Sequence, residues 1–189
     1  AQNPIYIITM GSEQTENKEN EQSRYPRILL AAPGSGSGKT LLTVGLLTLF
    51  QRMGIACRSF KCGPDYIDPM FHKYVLGIDS CNLDSFFLSK KALKAQYQQK
   101  NAGFDLAVME GVMGYYDGLG GISTQASTYE VAQAVDVPVI LILDGKGASL
   151  SLAAMLRGFL QYQKDSHIVG MILNRTSPMI GARLKPVLE

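Results

Sequence analysis

The sequence lacks the features that mark a disulfide scaffold, a zinc module, a membrane segment or a nucleic-acid binder. Its three cysteines, Cys57, Cys62 and Cys81, form neither an even set nor a CxxC pair, which argues against both disulfides and zinc. Reduced thiols in a cytoplasmic setting are expected instead. There are only two histidines, His72 and His167, and no Ser-His-Asp or Cys-His arrangement that would support nucleophilic catalysis. Both histidines are expected to be packing or surface residues, and Cys62 a buried bystander. No apolar run approaches the roughly 20 residues that a membrane-spanning helix needs. The longest, Val137 to Leu143, is of strand length and contains Pro138. No basic start followed by an apolar stretch marks a secretory signal. The formal net charge is +2, too small to favour nucleic acid or an anionic membrane as partner.

What remains is an ordinary globular composition. The 189 residues, 46% hydrophobic and 18% charged, suffice for one domain with one substantial core. Residues 1–24 differ from the rest: a short β-prone patch, Pro4 to Thr9, precedes a polar tract from Gly11 to Arg24. That tract offers too little apolar surface to offset its ordering entropy, so residues 1–24 are expected to be a flexible tail. Beyond them the pattern alternates. Buried-strand runs are expected at Arg27–Ala32, Ala56–Lys61, Phe104–Met109, Val139–Leu143 and Ile168–Asn174. A helix with apolar residues at Leu42, Leu46, Leu49 and Met53 should follow the first strand and stop at Gly54. Asp68 with Pro69, Ser89, and Ser127 with Glu130 are helix-start signals, and further helices are expected over Ala148–Tyr162 and from Pro178. Strands separated by helix-length segments imply right-handed βαβ units, hence a doubly wound, mainly parallel α/β fold.

The chemistry concentrates in Gly34-Ser35-Gly36-Ser37-Gly38-Lys39-Thr40, between the first strand and its helix. Glycines let successive backbone N–H groups turn toward phosphate oxygens, and the helix start adds its positive dipole end. Lys39 can reach the β- and γ-phosphates of a nucleotide, and the Thr40 hydroxyl can ligate Mg²⁺. The pattern is a variant, because Pro33 stands where GxxxxGK[ST] has its first glycine. Carboxylates follow at strand ends, where such sheets bind ligands. Asp65 and Asp68 lie in KCGPDYIDP, and Glu110 and Asp117 in VMEGVMGYYDG. Taken singly each could be a turn or cap residue, but Mg²⁺ needs only one or two carboxylates besides Thr40.

APGSGSGKT, KCGPDYIDP, LDSFF at Leu83–Phe87, EGVMGYYDG and ILNR at Ile172–Arg175 share the order and spacing of cobyrinic acid a,c-diamide synthases. The sequence resembles that family from about Tyr25 to Glu189. The resemblance implies a dethiobiotin synthetase-like P-loop domain that uses ATP and Mg²⁺. In that chemistry a corrinoid carboxylate, of cobyrinic or hydrogenobyrinic acid, is phosphorylated and ammonia then displaces the phosphate. By the same likeness Lys39, Asp65, Asp68, Glu110 and Asp117 are catalytic, Thr40, Asp65 and Glu110 surround the metal, and Asn174 contacts the adenine. The family's glutaminase domain, its ammonia source, is expected to be absent from this chain, and a homodimer is compatible with the pattern.

Three relatives are weaker matches. Cobyric acid synthase amidates other corrinoid side chains. Dethiobiotin synthetase lacks GPDYIDP. Partitioning ATPases carry a lysine where this chain has Gly34, and often a basic amphipathic helix for which no candidate is seen.

Overall fold

The computed structural model describes residues 6–9 and 26–188. Seven strands and six helices alternate along them: β1 (Tyr6–Thr9), β2 (Arg27–Ala31), α1 (Lys39–Arg52), β3 (Cys57–Cys62), α2 (Ile67–Tyr74), β4 (Ser80–Leu83), α3 (Lys90–Asn101), β5 (Leu106–Glu110), α4 (Thr128–Val135), β6 (Val139–Asp144), α5 (Ser151–Tyr162), β7 (Ile168–Asn174) and α6 (Pro178–Leu188). The strands form one sheet in the order β1-β7-β6-β2-β5-β3-β4. All pairings from β7 to β4 are parallel, and β1 joins β7 antiparallel. The expected doubly wound α/β architecture is therefore present.

The period of two along β2 sorts the core into two layers. Leu29 and Ala31 face the larger cluster, with Leu93 of α3, Val131 of α4, Leu152 of α5 and Leu184 of α6. Leu30 faces the other side, against Leu42 and Leu46 of α1. Val108 of β5 and Cys57 of β3 meet Leu47 there. Helix α1 thus sits alone over the middle of one face, and its N-terminus is brought to the carboxyl ends of β2, β3 and β5.

Three expectations need correction, and one strand was missed. Tyr6–Thr9, read as β-prone but assigned to a flexible tail, is a strand: it caps the backbone edge of β7, whose polar groups would otherwise stand open. The rest of residues 1–24 lies outside the described residues. Strand β4 gave no signal, because Ser80, Cys81 and Asn82 are polar or small and only half-buried. The apolar face of α1 is rotated from the expected one. Leu49 and Met53 are exposed, whereas Lys39, Thr43 and Leu47 are the buried residues of the helix. Asp68 lies inside α2, not at its cap: Tyr66 holds the cap position, and the Asp65 Oδ1 accepts from Ile67 N at 3.0 Å.

The Ser127 cap of α4 was legible. Its hydroxyl accepts from Glu130 N at 3.3 Å and donates to Thr124 O at 2.6 Å, while Glu130 Oε2 reaches back to Ala126 N. Ser127→Ala removes a buried cap and strands a carbonyl partner. It should lower stability by about 1–2 kcal/mol, read as an earlier midpoint in urea unfolding. An unchanged midpoint would show that the cap contributes nothing.

Candidate functional site

The turn after β2 is shaped by its glycines. Gly36 and Gly38 sit at φ 77° and 96°, a region open to glycine and strained for other residues. At Gly38 a Cβ would also collide with the Asn174 amide. Gly38 caps α1, and the first turn of that helix carries no acid, which leaves its positive end open to an anion. Lys39 folds back over the turn: its ammonium donates to Gly34 O at 3.0 Å and to Met113 O at 2.7 Å. Ser37 is buried and donates to Gly34 O, while Ser35 is exposed on the cavity rim.

The turn is clamped from β7. Asn174 donates its amide to Ser37 O at 2.9 Å and accepts from Arg175 N. The Arg175 guanidinium donates to Gly36 O at 2.7 Å and pairs with Asp144. The polar groups of Asn174 are therefore engaged with backbone, and the visible role of this residue is to hold the loop.

The carboxylates assemble through sheet register. Lys61 of β3 and Glu110 of β5 are direct cross-strand partners. Both share strand parity with Ser59 and Val108, so both point to the α1 side, where an apolar residue would have been expected at each position. Glu110 is fully buried and Lys61 nearly so. The Lys61 ammonium donates to Glu110 Oε1 at 2.8 Å and to Asp68 Oδ2 at 2.5 Å, with Asp65 at 3.6 Å. From α1, the Thr40 hydroxyl donates to the same Glu110 oxygen at 2.6 Å. The second oxygen, Oε2, is buried without a hydrogen-bond partner among the described residues.

These groups share one cavity of about 500 Å³. It is lined by Gly36, Gly38, Lys39 and Thr40 on one side and by Lys61, Asp65, Asp68 and Glu110 on the other. Five expected residues thus converge: Lys39, Thr40, Asp65, Asp68 and Glu110. Asp117 does not line this cavity. Its exposed carboxylate accepts from Gly114 N at 3.0 Å, closing the turn after β5, and borders a different hollow with Tyr116 and Phe159. Lys61 was missed as a site residue, although it opens the KCGPDYIDP motif. The available signal was a lysine at a buried position of a strand.

Burial, and then the nearby charge of Lys61, pull the Lys39 ammonium below the usual lysine range, with Glu110 and Asp117 partly restoring it. Burial also acts to lower Lys61, but Glu110 and Asp68 outweigh it and hold its charge more firmly than usual. Burial pushes the Cys62 thiol up to about 12, so it remains an unreactive thiol at neutral pH, as expected. His72 is fully buried, its Nδ1 2.8 Å from Ser59 Oγ, and burial lowers its pKa.

Among the described residues no three His, Cys, Asp or Glu side chains form a preformed metal cage. The Thr40 hydroxyl, the unpartnered Glu110 oxygen and Asp65 are nonetheless hard oxygen donors. They fit Mg²⁺, which keeps several waters and takes few protein ligands.

The Lys61–Glu110 pair yields a direct test. Lys61→Met leaves a carboxylate buried and unpaired, which should cost about 3 kcal/mol or more. Adding Glu110→Gln to that variant should restore part of the loss. Chemical unfolding of both variants checks this, and equal stability of Lys61→Met and wild type would show that the pair is not structurally coupled.

Comparison with known proteins agrees with this geometry. A family model described as the CobQ/CobB/MinD/ParA nucleotide binding domain matches residues 28–189. Cobyrinate a,c-diamide synthase of Gloeobacter violaceus is 47% identical over 148 residues, covering 78% of this chain and 33% of the relative. The Salmonella typhimurium protein of the same name is 43% identical, covering 82% and 34%. Hydrogenobyrinate a,c-diamide synthase of Streptomyces coelicolor is 40% identical, covering 82% and 32%. The chain therefore spans about a third of the length of these relatives. Among solved structures, the signal recognition particle receptor FtsY of Elizabethkingia anophelis aligns with TM-score 0.54 at 16% identity, covering 77% of this chain and 51% of that one. FtsY of Mycoplasma mycoides aligns with TM-score 0.53 at 11% identity, covering 90% and 59%. These two likenesses concern the fold alone. The loop–helix cradle, the strand-end carboxylates and the family match lead to one assignment: the chain belongs to the CobQ/CobB/MinD/ParA nucleotide-binding domain family.

Proposed function

We propose that this domain binds ATP with Mg²⁺ and activates a corrinoid carboxylate for amidation, at the a and c side chains of cobyrinic or hydrogenobyrinic acid. The observation that carries the reading is the single cavity in which the Lys39–Thr40 turn faces the Lys61–Asp68–Glu110 cluster. The names of relatives 40–47% identical to the chain support the substrate class.

A carboxylate accepts ammonia poorly until one of its oxygens becomes part of a leaving group. The acceptor oxygen attacks the terminal phosphorus and ADP departs. Ammonia then adds to the acyl carbon, and inorganic phosphate leaves with that oxygen, giving the amide. Such chemistry needs positioning and charge neutralisation more than a protein nucleophile. Lys39 is placed to exchange its two carbonyl partners for phosphate oxygens. Lys61 keeps its charge beside three acids, which would otherwise repel an anionic acceptor. Thr40, Asp65 and Glu110 would hold the metal, which supplies further neutralisation of the phosphates. Ammonia would come from glutamine hydrolysed by a glutaminase partner or domain.

The test is run with the chain, Mg-ATP, ammonium chloride and cobyrinic or hydrogenobyrinic acid. ADP release should depend on the corrinoid and yield amidated product. Lys39→Ala should depress it about 100-fold or more, the loss seen when one transition-state charge contact is removed. ADP release indifferent to the corrinoid would overturn the assigned acceptor, and wild-type turnover in Lys39→Ala would overturn the assigned site.

A further inference from the structure

The phosphate cavity has a neighbour. A second cavity of about 310 Å³ lies at the same end of the sheet, bounded by the loops after β3, β4 and β5. Its walls include Pro64, Phe86, Val112, Met113 and Leu119, and Val112 and Met113 line the phosphate cavity as well. The two hollows are thus separated by one shared wall. The lining is apolar except for Asp84, and the Asp84 Oδ1 is engaged with Phe86 N at 2.9 Å, which fixes the backbone beneath that ring.

Phe86, Met113 and Leu119 are 58%, 46% and 38% exposed around this opening, so large apolar groups stand in water where they could bury a ligand. The walls are also held in place. Leu119 N donates to Gln125 O at 2.9 Å and Gly118 N to Ser123 O at 2.8 Å, closing the loop that carries Leu119. Met113 adopts φ 49°, an uncommon conformation for a residue with a Cβ, and the neighbouring Val112 N donates to Thr128 Oγ1 at 3.0 Å. Strain of this kind persists where the surroundings impose it, here on the wall between the two cavities.

Lys61 offsets only part of the charge of Asp65, Asp68 and Glu110, and the cradle of Lys39 and the α1 N-terminus is taken by the nucleotide phosphates, so the phosphate cavity offers an anionic acceptor little net attraction. Binding energy must come from the part of the acceptor that does not react. We propose that the second cavity is the acceptor subsite: it takes an apolar, methyl-bearing edge of the macrocycle, and the carboxylate arm crosses the Val112–Met113 wall toward the terminal phosphate. This rests on the corrinoid reading above. The cavity is small beside a macrocycle, so an edge enters and most of the ring stays outside.

Leu119→Asp puts a charge into the subsite and Phe86→Ala removes its aromatic wall. Both side chains are partly exposed, and neither touches the nucleotide groups. The experiment titrates cobyrinic acid into the chain saturated with Mg²⁺ and a non-hydrolysable ATP analogue, followed by calorimetry. Corrinoid binding should weaken about tenfold or more in each variant, with Mg-ATP affinity kept within about twofold. Wild-type corrinoid affinity in both variants would overturn the subsite, as would a parallel loss of Mg-ATP binding. Failure of the unmodified chain to bind the corrinoid would overturn it too. A chain that binds the corrinoid without amidating it would instead overturn the reaction, and the variants would still decide the subsite.

Discussion

A carboxylate taken entirely out of water is the constraint on which this site depends. Glu110 has no exposure, and a buried charge is tolerated only where partners compensate its lost hydration. Those partners come from two other segments: the Lys61 ammonium from the neighbouring strand and the Thr40 hydroxyl from the first turn of α1. One oxygen of Glu110 is thereby satisfied twice, and the other has no partner among the described residues. The packing of α1 on the sheet and the arrangement of charges in the cavity are consequently one problem with one solution. Moving α1 would strip Glu110 of its Thr40 donor, and neutralising Glu110 would leave Lys61 to Asp68 and Asp65.

Local chemistry was legible in the sequence, and long-range register was not. The turn between β2 and α1 announces itself through Gly36, Gly38, Lys39 and Thr40, because each residue type has a backbone or charge reason to be there. Ser89 and Ser127 are likewise read from short-range capping chemistry, and both accept from the backbone three residues on. The part played by Lys61 could not be read in this way. It follows from its pairing with Glu110, a residue 49 positions away, and no local pattern encodes that register. Helix α1 misled for a related reason. Its buried positions include Lys39 and Thr43, because the helix begins at a functional cradle and is oriented by it, so the apolar stripe does not mark the buried face alone. Asp117 shows the reverse case: it sits in a motif with Glu110, yet the turn at Gly114 carries its side chain to another hollow.

The same fold underlies proteins with little sequence in common with this one, as the FtsY likenesses illustrate. Fold therefore says little about chemistry here. In this chain the functional groups gather at the carboxyl ends of β3, β4 and β5: Asp65 on the loop after β3, Asp68 on α2, the exposed Phe86 after β4, Glu110 ending β5 and the strained Met113 after it. The sheet beneath them is a platform, and its parallel strands bring three loop tips to one edge.

The central place of β2 also bears on how the molecule is made. Its neighbours in the sheet are β5 and β6, both far downstream in the chain. The partners that hold the cradle closed are just as remote: Glu110 lies 70 residues beyond Thr40, and Met113 lies 74 beyond Lys39. Vectorial synthesis thus delivers the glycine-rich turn first and the residues that lock it last. Until β5 has left the ribosome, β2 has no strand to pair with and the apolar side of α1 can meet, besides β2, only β3. During that interval the exposed segment would depend on protection from association with other chains.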